Sequence, residues 1–464
     1  MNEAFLEAHP TLPVHTAHFG RDFLRRLLEA LPFEDLDEAT DGLLVHGENY
    51  QALRLLLERY REQVKCVYID PPYNAVESEI LYKNSYKHSS WASLMHPRLS
   101  VAKEIQASDS LICVTIDDYE LQYLKFIIDG VFGTDNHFAT VVIRNNPSGR
   151  STVAGFAVNH EYGLFYAKSA QLAHVGRLPH SEGQRSRYDQ IDENGKQFEW
   201  ENLRKSSRGS LRSDRPKQFF PLYYNKRVGG LRAPSMVWRE SIQSWEILEP
   251  PDDNEIALYP VDENGVERVW NYGVERVKQE AAQIIVVENG KRYEVYKRKY
   301  LHQEGMLPRT WWDKPAYSAR DNGARMLKNL FGQIGTFDFP KAVQAVSDAI
   351  RVCLGPSTPD AINYVLDFFA GSGTTGHAVI NLNREDGGRR KFILVEMGEY
   401  FDTVLLPRIA KVMYTPEWKG GKPERKATPE EAERTPRLVK ILRLESYEDA
   451  LHNLAAPSTL ERVK

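Results

Sequence analysis

The stretch VLDFFAGSGTTGHAV, from Val365 to Val379, passes from a short apolar run through a glycine-rich turn into a helical pattern. A strand, turn and helix in this order is typical of the α/β class, in which ligands bind at the carboxyl ends of the strands. The turn contains Gly371, Gly373 and Gly376 at the spacing of a dinucleotide fingerprint, so a nicotinamide or flavin site is one interpretation. It contains no lysine, which excludes a phosphate-binding Walker loop.

Two acidic residues around this turn favour a different ligand. Asp367 lies directly before the turn, where a carboxylate would repel a pyrophosphate but would suit a cationic amino group. Glu396 closes the next predicted strand, 392–395, where an acidic side chain can accept both ribose hydroxyls. A ligand with a ribose, an ammonium group and no phosphate fits S-adenosylmethionine. A tight structural turn and a surface acid at a strand end are the alternative interpretations.

A second motif, Asp70-Pro71-Pro72-Tyr73, follows the predicted strand VKCVYI at 64–69. The strand must end there, because proline cannot donate to a strand ladder. Asp70 and the Pro71 carbonyl can accept both hydrogens of a flat exocyclic amine, while Tyr73 stacks on its ring. A plain surface loop is the alternative interpretation.

The other elements predict two α/β halves around an irregular middle. Strands at 42–46 and 111–116 and a helix around 91–105 surround the first motif, and the alternation predicts a parallel sheet. The predicted divisions are an N-terminal extension at 1–40, a catalytic half at 41–168, a recognition domain at 169–335, a cofactor-binding half at 336–414 and a C-terminal tail or appended segment at 415–464.

Composition excludes several classes of protein. The chain has 464 residues, of which 42% are hydrophobic and 27% charged, and this argues against global disorder. No apolar run is long enough to cross a membrane, and the N-terminus lacks a secretion signal, so a cytoplasmic location is expected. Cys66, Cys113 and Cys353 lie too far apart in sequence to indicate a zinc site or a disulfide framework, and no metal is expected.

The formal net charge of -4 means that any polyanion must be bound by a local basic patch. The segment 204–232 provides one, because it contains nine Lys or Arg against the single acid Asp214, a net of +8. We predict that it binds a polyanion such as a nucleic acid, with these candidate contacts: Arg204, Lys205, Arg208, Arg212, Arg215, Lys217, Tyr223 and Tyr224. A solvated charged loop is the alternative interpretation.

Taken together, the two motifs make the chain recognisable. DPPY followed at a distance by DFFAGSGTT resembles the β class of amino-group DNA methyltransferases, which modify N6 of adenine. The segments LVHGEN, HSSWASLMHPRL, VTIDD, NHEYGLFYAKS, SDRPKQFFPLYY, WWDKPAYSA, FDFPKAVQAV, KFILVEMGEYFDTVLLPRIAKV and LESYEDALHNL are similar to the modification subunits of type III restriction–modification systems. The resemblance covers about residues 40 to 455.

The resemblance implies roles for particular residues. Asp70, Pro71, Pro72 and Tyr73 match the catalytic motif. The residues that match cofactor-binding positions are Asp367, Phe369, Gly371 and Gly373 in the loop, Glu396 at the ribose, Phe339, Pro340 and Lys341 beside the methionine end, and Glu48, where the family often has aspartate, near the cofactor adenine.

The resemblance also implies a fold, a reaction and partners. The fold is a circularly permuted, doubly wound, mostly parallel α/β sheet with an inserted target-recognition domain. The reaction is methyl transfer from S-adenosylmethionine to N6 of a flipped-out adenine in double-stranded DNA. A homodimer or a complex with a restriction subunit is implied, although the type III subunits usually continue beyond LESYEDALHNL, whereas this chain stops at Lys464.

Other functions remain open from the residues alone. The substrate could be cytosine N4 or RNA, although aspartate at the first motif position favours adenine. A noncatalytic DNA specificity subunit and a nicotinamide oxidoreductase belong to different classes. Asn159-His160-Glu161 could suggest a metal or acid–base site, but a structural turn before the strand GLFYA is favoured.

Overall fold

A computed structural model describes residues 3–74, 88–153, 155–290, 292–302, 305–333, 337–355 and 361–445. The chain forms two compact units, one made of Met1–Leu178 with Leu307–Lys464 and the other of Pro179–Met306. The division predicted at 335–336 and the segment from 446 onward lie outside the described residues.

The first unit is built on a sheet of nine strands: β1 (Gly42–His46), β2 (Val64–Ile69), β3 (Gln106–Ile116), β4 (His137–Ile143), β5 (Glu161–Ala167), β6 (Trp311–Trp312), β7 (Ile362–Asp367), β8 (Arg389–Glu396) and β9 (Val439–Arg443). Their order across the sheet is β6-β4-β5-β3-β2-β7-β8-β1-β9. Strands distant in sequence are therefore neighbours in space. In particular, β2, which precedes the Asp70–Tyr73 motif, lies directly beside β7, which precedes the glycine-rich turn.

Strand direction decides which residues share an edge of this sheet. β5 is antiparallel to both β3 and β4, whereas every other neighbouring pair is parallel. The first residue of β5 therefore lies at the same edge as the last residues of the others, as shown by the pairing of Glu161 with Ile143. The expectation of a mostly parallel α/β sheet is confirmed.

The helices of the first unit are α1 (Glu3–Glu7), α2 (Arg21–Ala30), α3 (Asn49–Tyr60), α4 (His88–Ile105), α5 (Leu121–Phe132), α6 (Arg325–Phe331), α7 (Val343–Leu354), α8 (Thr374–Asp386), α9 (Leu406–Tyr414) and α10 (Pro429–Glu433). Short 3-10 or π turns occur at Thr16–His18, Thr134–Asn136, Pro315–Tyr317, Arg320–Ala324 and Phe401–Leu405. The strands β2 and β8 are buried over most of their length, as parallel strands covered on both faces are.

Small strand pairs complete the first unit, at Arg150–Val153 with Phe156–Val158 and at Trp418–Lys419 with Lys422–Pro423. One part of the C-terminal segment differs from the predicted tail or appended piece. Residues 439–443 form β9, which pairs in parallel with β1 and so belongs to the main sheet. The polar composition after Tyr414 concealed this strand, because only five residues pair and none of their side chains is fully buried.

The second unit is built mostly from antiparallel strands. They are Gln190–Ile191, Gln197–Asn202, Leu222–Asn225, Leu231–Arg232, Met236–Arg239, Ser244–Ile247, Glu255–Leu258, Ile284–Asn289 and Arg292–Tyr300. Two short helices, Glu182–Arg185 and Val274–Gln279, and 3-10 turns at Pro216–Gln218, Glu240–Ile242 and Ala281–Gln283 accompany them. This unit has its own apolar core, which contains Phe220, Leu222, Trp270 and Val277.

Two further findings concern expectations made from composition. All three cysteines are buried free thiols. None of the helices within the described ranges is long and apolar enough to cross a membrane.

Candidate active site

The Asp70–Tyr73 turn directly follows β2 at the edge where the parallel strands end. Thr115, near the end of β3, donates its hydroxyl hydrogen to Asp70 Oδ1 at 2.6 Å. The indole N–H of Trp91 donates to the Pro72 carbonyl at 2.8 Å. Among the described residues nothing donates to the Pro71 carbonyl. The turn is thus fixed by its neighbours, while the Pro71 carbonyl keeps its acceptor positions with respect to the described residues.

Lys341 lies directly beside this turn. Its Nζ is 3.1 Å from Asp70 Oδ1 and 2.5 Å from Glu161 Oε2. The same ammonium donates to the Tyr73 hydroxyl and lies 4.5 Å from the centre of the Tyr73 ring. Residues far apart in sequence therefore form one charged cluster around a single lysine.

Glu161 is the buried member of this cluster. Its side chain is 3% exposed, and Oε2 also accepts hydrogen bonds from the Tyr73 hydroxyl at 2.9 Å and from Asn145 Nδ2 at 2.8 Å. The sequence favoured a structural turn over Asn159, His160 and Glu161. In the structure, Glu161 is already the first residue of β5. Glu161 reaches the edge because β5 runs antiparallel, and a parallel strand would have placed it at the opposite edge.

Burial and the lysine set the electrostatics of the cluster. Burial raises the pKa of Asp70 above its ordinary value, although Lys341 opposes this shift. Burial alone would lower the pKa of Lys341, but the carboxylates of Asp70 and Glu161 raise it. Burial, followed by the nearby carboxylates of Asp70 and Glu161, raises the pKa of the Tyr73 phenol. At neutral pH the lysine is therefore a held cation and the tyrosine a neutral donor.

The glycine-rich loop connects β7 to α8 and is fastened by Asp367. One carboxylate oxygen accepts the Phe369 N–H at 3.0 Å, and the other accepts the Thr375 hydroxyl at 2.5 Å. Burial raises the pKa of Asp367 to about 7. Gly371 and Gly373 have φ values of +53° and +83°, which glycine adopts without strain. The backbone of the loop is thus shaped by residues that also define the motif.

Glu396 binds the same loop from the end of β8. Its two oxygens accept three backbone N–H groups, from Gly371 at 2.8 Å, Met397 at 2.9 Å and Gly398 at 2.8 Å. The strands β2, β7 and β8 are neighbours, which places the Asp70 and Glu396 strand ends ~10 Å apart. A nucleoside-sized ligand spans that distance.

The remaining predicted cofactor residues surround the loop. Glu48 caps α3 by accepting the Gln51 N–H at 2.9 Å, and it forms an ion pair with Arg98 of α4. Sequence reasoning missed Asn49, whose Nδ2 donates to the Phe368 carbonyl at 2.9 Å and so connects α3 to the loop. Phe339 has a φ of +54°, in the left-handed region that a bulky residue rarely adopts, and is 67% exposed.

The geometry fits S-adenosylmethionine. Glycines shape a loop at the end of β7, an acid whose oxygens hold that loop ends β8, and the exposed aromatic residue Phe339 has a left-handed backbone conformation. A separate carboxylate, Asp70, lies one strand further along the same edge. Of the described residues, no three His, Cys, Asp or Glu side chains are grouped so that they could hold a metal ion.

In the second unit, the cations of the basic segment 204–232 fall into two groups. Arg204, Arg212, Lys217 and Arg232 form ion pairs with acids distant in sequence, such as Glu255 at 2.8 Å from Arg232. In the part of the chain that the structure describes, no ion pair involves Lys205, Arg208, Arg215, Lys226 or Arg227. Of these five cations, all but Lys205 are exposed.

The two tyrosines of this segment differ in exposure. Tyr223 is 2% exposed, and its hydroxyl donates to the Glu249 carbonyl at 2.9 Å. Tyr224 is half-buried and lies 5.8 Å, between ring centres, from Tyr293. Tyr223 therefore contributes to the interior of this unit, whereas Tyr224 keeps part of its surface accessible.

Comparisons with known proteins agree with this geometry. Residues 64–405 match the family model described as DNA methylase, for N6 and N4 enzymes. The type II methyltransferase M.KpnI of Klebsiella pneumoniae is 32% identical over 389 residues, which cover 82% of this chain and 84% of that protein. The EcoPI Mod subunit of Escherichia phage P1, a type III restriction–modification enzyme, is 29% identical over 79% of this chain and 59% of its own length.

Two further facts qualify these similarities. The chain spans between 51% and 60% of the length of the type III Mod subunits that it matches. Among solved structures, the cytosine-N4-specific PvuII DNA methyltransferase aligns with 81% of this chain and 86% of its own, at 13% identity and a TM-score of 0.36.

Proposed function

The chain belongs to the DNA methylase family of N6 and N4 enzymes, and from that premise we propose that it methylates N6 of adenine in double-stranded DNA. Membership confirms that the chain is an S-adenosylmethionine-dependent DNA methyltransferase. The choice of base, the roles of individual residues and the partners are proposals argued below.

The observation that carries the proposal is the state of Asp70. Asp70 directly follows a buried strand, its side chain is 26% exposed, and it precedes Pro71, whose carbonyl has no donor among the described residues, and the aromatic Tyr73. Two acceptors and an aromatic ring match a planar base that carries an exocyclic amine with two hydrogens. Adenine is the proposed base, because aspartate at the first motif position favours it over cytosine.

S-adenosylmethionine, when bound, supplies the methyl group as an electrophile at a sulfonium. We assign Glu396 to the ribose hydroxyls, with Gly371 and Gly373 giving the backbone room for the ligand. Asp367, which fastens the loop, supports the site from beneath, and Phe369 lies with it in the interior. We further assign Phe339 and Pro340 to the methionine end and Glu48 to the adenine end.

The residues of this chain act on the amine. The N6 lone pair is delocalised into the ring, so the nitrogen is a poor nucleophile. Asp70 and the Pro71 carbonyl accept its two hydrogens, which favours a pyramidal nitrogen whose lone pair can attack the methyl carbon. As the nitrogen–carbon bond forms, the carbon–sulfur bond would break, and the positive charge would pass to the nitrogen next to the Asp70 carboxylate, which stabilises it electrostatically. The methylated nitrogen then loses one proton to solvent. Asp70 is held in place for this by Thr115 at 2.6 Å.

An adenine amine is inaccessible inside a duplex, so the base must leave the helix at a cost of a few kcal/mol. Stacking on Tyr73 recovers ~1–3 kcal/mol of that cost. We propose that the unpaired cations of the second unit provide the remaining grip by neutralising phosphates, namely Lys205, Arg208, Arg215, Lys226 and Arg227. Arg204, Arg212, Lys217 and Arg232 already have acidic partners, and so we expect them to contribute less.

The relatives suggest a biological setting. M.KpnI is a type II methyltransferase and the EcoPI Mod subunit belongs to a type III restriction–modification enzyme. We propose that this chain protects DNA within such a system in the cytoplasm, either as a homodimer or with a restriction subunit.

The test is methyl transfer by the purified chain without any partner. Tritiated S-adenosylmethionine and duplex DNA should give labelled DNA, and digestion to nucleosides should yield N6-methyladenine. Mapping methylated adenines in cells that express the chain alone would then define the recognition site. N4-methylcytosine in the digest would replace the proposed base, and label in RNA but not in duplex DNA would replace the proposed substrate. Absence of label in both nucleic acids would overturn the proposed reaction.

A further inference from the structure

The Lys341 ammonium makes two contacts that the proposed function assigns to the target base. It lies 3.1 Å from Asp70 Oδ1, and it lies 4.5 Å from the centre of the Tyr73 ring. A target adenine needs the same carboxylate for its amine and the same ring for stacking. Lys341 therefore occupies contacts on Asp70 and Tyr73 that the target adenine would make.

Two carboxylates share this ammonium, and they differ in accessibility. Asp70 is 26% exposed at its side chain, whereas Glu161 is 3% exposed. An incoming amine can reach Asp70 but not Glu161. Only the buried carboxylate can therefore keep the lysine when the exposed one takes a new partner.

Glu161 is built to hold a cation by itself. Its Oε2 accepts from Asn145 at 2.8 Å and from Tyr73 at 2.9 Å, and Lys341 Nζ is nearer to it, at 2.5 Å, than to Asp70. A lysine without a carboxylate would be costly to keep in this interior, since its own side chain is 13% exposed. Lys341 can leave Asp70 at a small cost in free energy, because its ammonium stays paired with the Glu161 carboxylate.

We propose that Lys341 is an internal stand-in for the target amine and that Glu161 is the positioning residue that receives it when the base arrives. Before DNA binds, the lysine neutralises Asp70 and keeps the pocket formed. When the adenine amine binds Asp70, the ammonium withdraws to Glu161 and clears the Tyr73 ring. No bond forms or breaks in this step. The inference rests on the proposed function, and it adds an exchange of one cation between two carboxylates.

The experiment is a double-substitution cycle that reads base capture rather than turnover. A duplex carrying the mapped recognition site keeps the target adenine and has 2-aminopurine as the base next to it, whose fluorescence rises when the target adenine leaves the stack. Glu161→Gln keeps the shape of the side chain but removes the charge that draws Lys341 away. We expect it to weaken base capture about tenfold, because Lys341 then stays on Asp70.

The same substitution in a Lys341→Met background should change base capture less than twofold, because no ammonium is left to be received. Lys341→Met alone should strengthen capture, since it removes the internal competitor. Lys341→Gln, which keeps polar donors without the charge, repeats the test if the methionine variant unfolds. Thermal unfolding and S-adenosylmethionine binding are measured for each variant, so that only folded, cofactor-binding proteins are compared.

A tenfold loss from Glu161→Gln in both backgrounds would overturn the inference, because Glu161 would then act through Tyr73 or through the fold. Weaker capture by Lys341→Met would overturn it as well, since the lysine would then assist the base. Both outcomes leave the proposed function intact as long as the unaltered chain methylates adenine. An unaltered chain that does not methylate DNA overturns the proposed function itself.

Discussion

The two units handle charge in opposite ways. In the first unit, a few charged side chains are placed singly, and each has contacts that fix its position, as with Asp70, Lys341 and Glu161. In the second unit, many cations lie on one segment, and about half of them are neutralised by acids from other parts of the chain. The difference teaches that the reaction depends on a few charged groups held in exact positions. Binding to a polyanion depends instead on the total number of available cations, any one of which can be replaced.

The largest effect that would test this comparison is expected from a substitution at Asp70. Asp70→Asn keeps the size of the side chain but removes the charge next to the reacting nitrogen, and we expect kcat to fall about 10²- to 10³-fold. The measurement is transfer of a tritiated methyl group to duplex DNA, with S-adenosylmethionine binding as the check that the pocket persists. Asp109→Asn, in an aspartate at the other end of β3, is the matched control and should leave kcat unchanged. Full activity in Asp70→Asn would contradict the assigned chemistry.

Asp367 tests whether a single buried charge also costs stability. Its folded-state pKa is about 7 against an ordinary 3.8, so the folded chain holds a proton that the unfolded chain has already lost. This group therefore makes stability fall as pH rises from about 4 to about 7, by roughly 2 kcal/mol or more.

Asp367→Asn should flatten that decline, as measured by urea unfolding at pH 5, 6, 7 and 8. The exposed Asp22→Asn, on α2, is the control and should keep the slope of the unaltered chain. An unchanged slope in Asp367→Asn would show that the carboxylate is ionised without cost.

Glu396 sharpens the comparison within the first unit, because its expected effect is on binding alone. Glu396→Gln weakens the acceptor that we assign to the ribose, and we expect the Kd for S-adenosylmethionine to rise about tenfold. Isothermal titration of the cofactor analogue sinefungin gives the same comparison without turnover. Glu399→Gln, in an exposed acid three residues further along, should leave the Kd unchanged. Equal Kd values for the two variants would remove the ribose assignment.

The smallest single effects are expected in the second unit. Arg208→Ala or Arg215→Ala should weaken DNA binding only a few-fold, and each should reduce the slope of log K against log salt by about 0.9. Arg232→Ala should leave the slope nearly unchanged, because Arg232 is already paired with Glu249 and Glu255. Fluorescence anisotropy of labelled duplex DNA across a salt series measures all three. Equal slopes for Arg208→Ala and Arg232→Ala would show that the ion pairs do not decide which cations meet phosphate.

The sequence carries information about this site unevenly. Asp70 and Asp367 could be predicted at one edge, because each follows a short apolar run that ends in a turn, and such positions in parallel strands share an edge. The position of Glu161 at this edge could not be predicted, because it depends on the direction of β5. That direction is set by pairing with strands far away in sequence. An acid at the head of an apolar strand was the signal available.

The same contrast explains the basic segment. Its charge can be counted from the sequence, but the partners that neutralise Arg204 and Arg232 come from 17 to 90 residues away. The burial of Tyr223 next to the half-buried Tyr224 has the same origin, since strand pairing in the second unit turns the Tyr223 side chain inward. Local patterns therefore predict which residues are charged, while tertiary pairing decides which charges are available.

The strand β9 has a consequence for the integrity of the sheet. It covers the outer side of β1 over five residues, from Gly42 paired with Val439 to His46 paired with Arg443. Without it, β1 would present a row of unsatisfied backbone donors and acceptors, which is a template for self-association. A chain shortened to end before residue 439 should therefore aggregate through this uncovered border, even though every catalytic and cofactor motif would still be present.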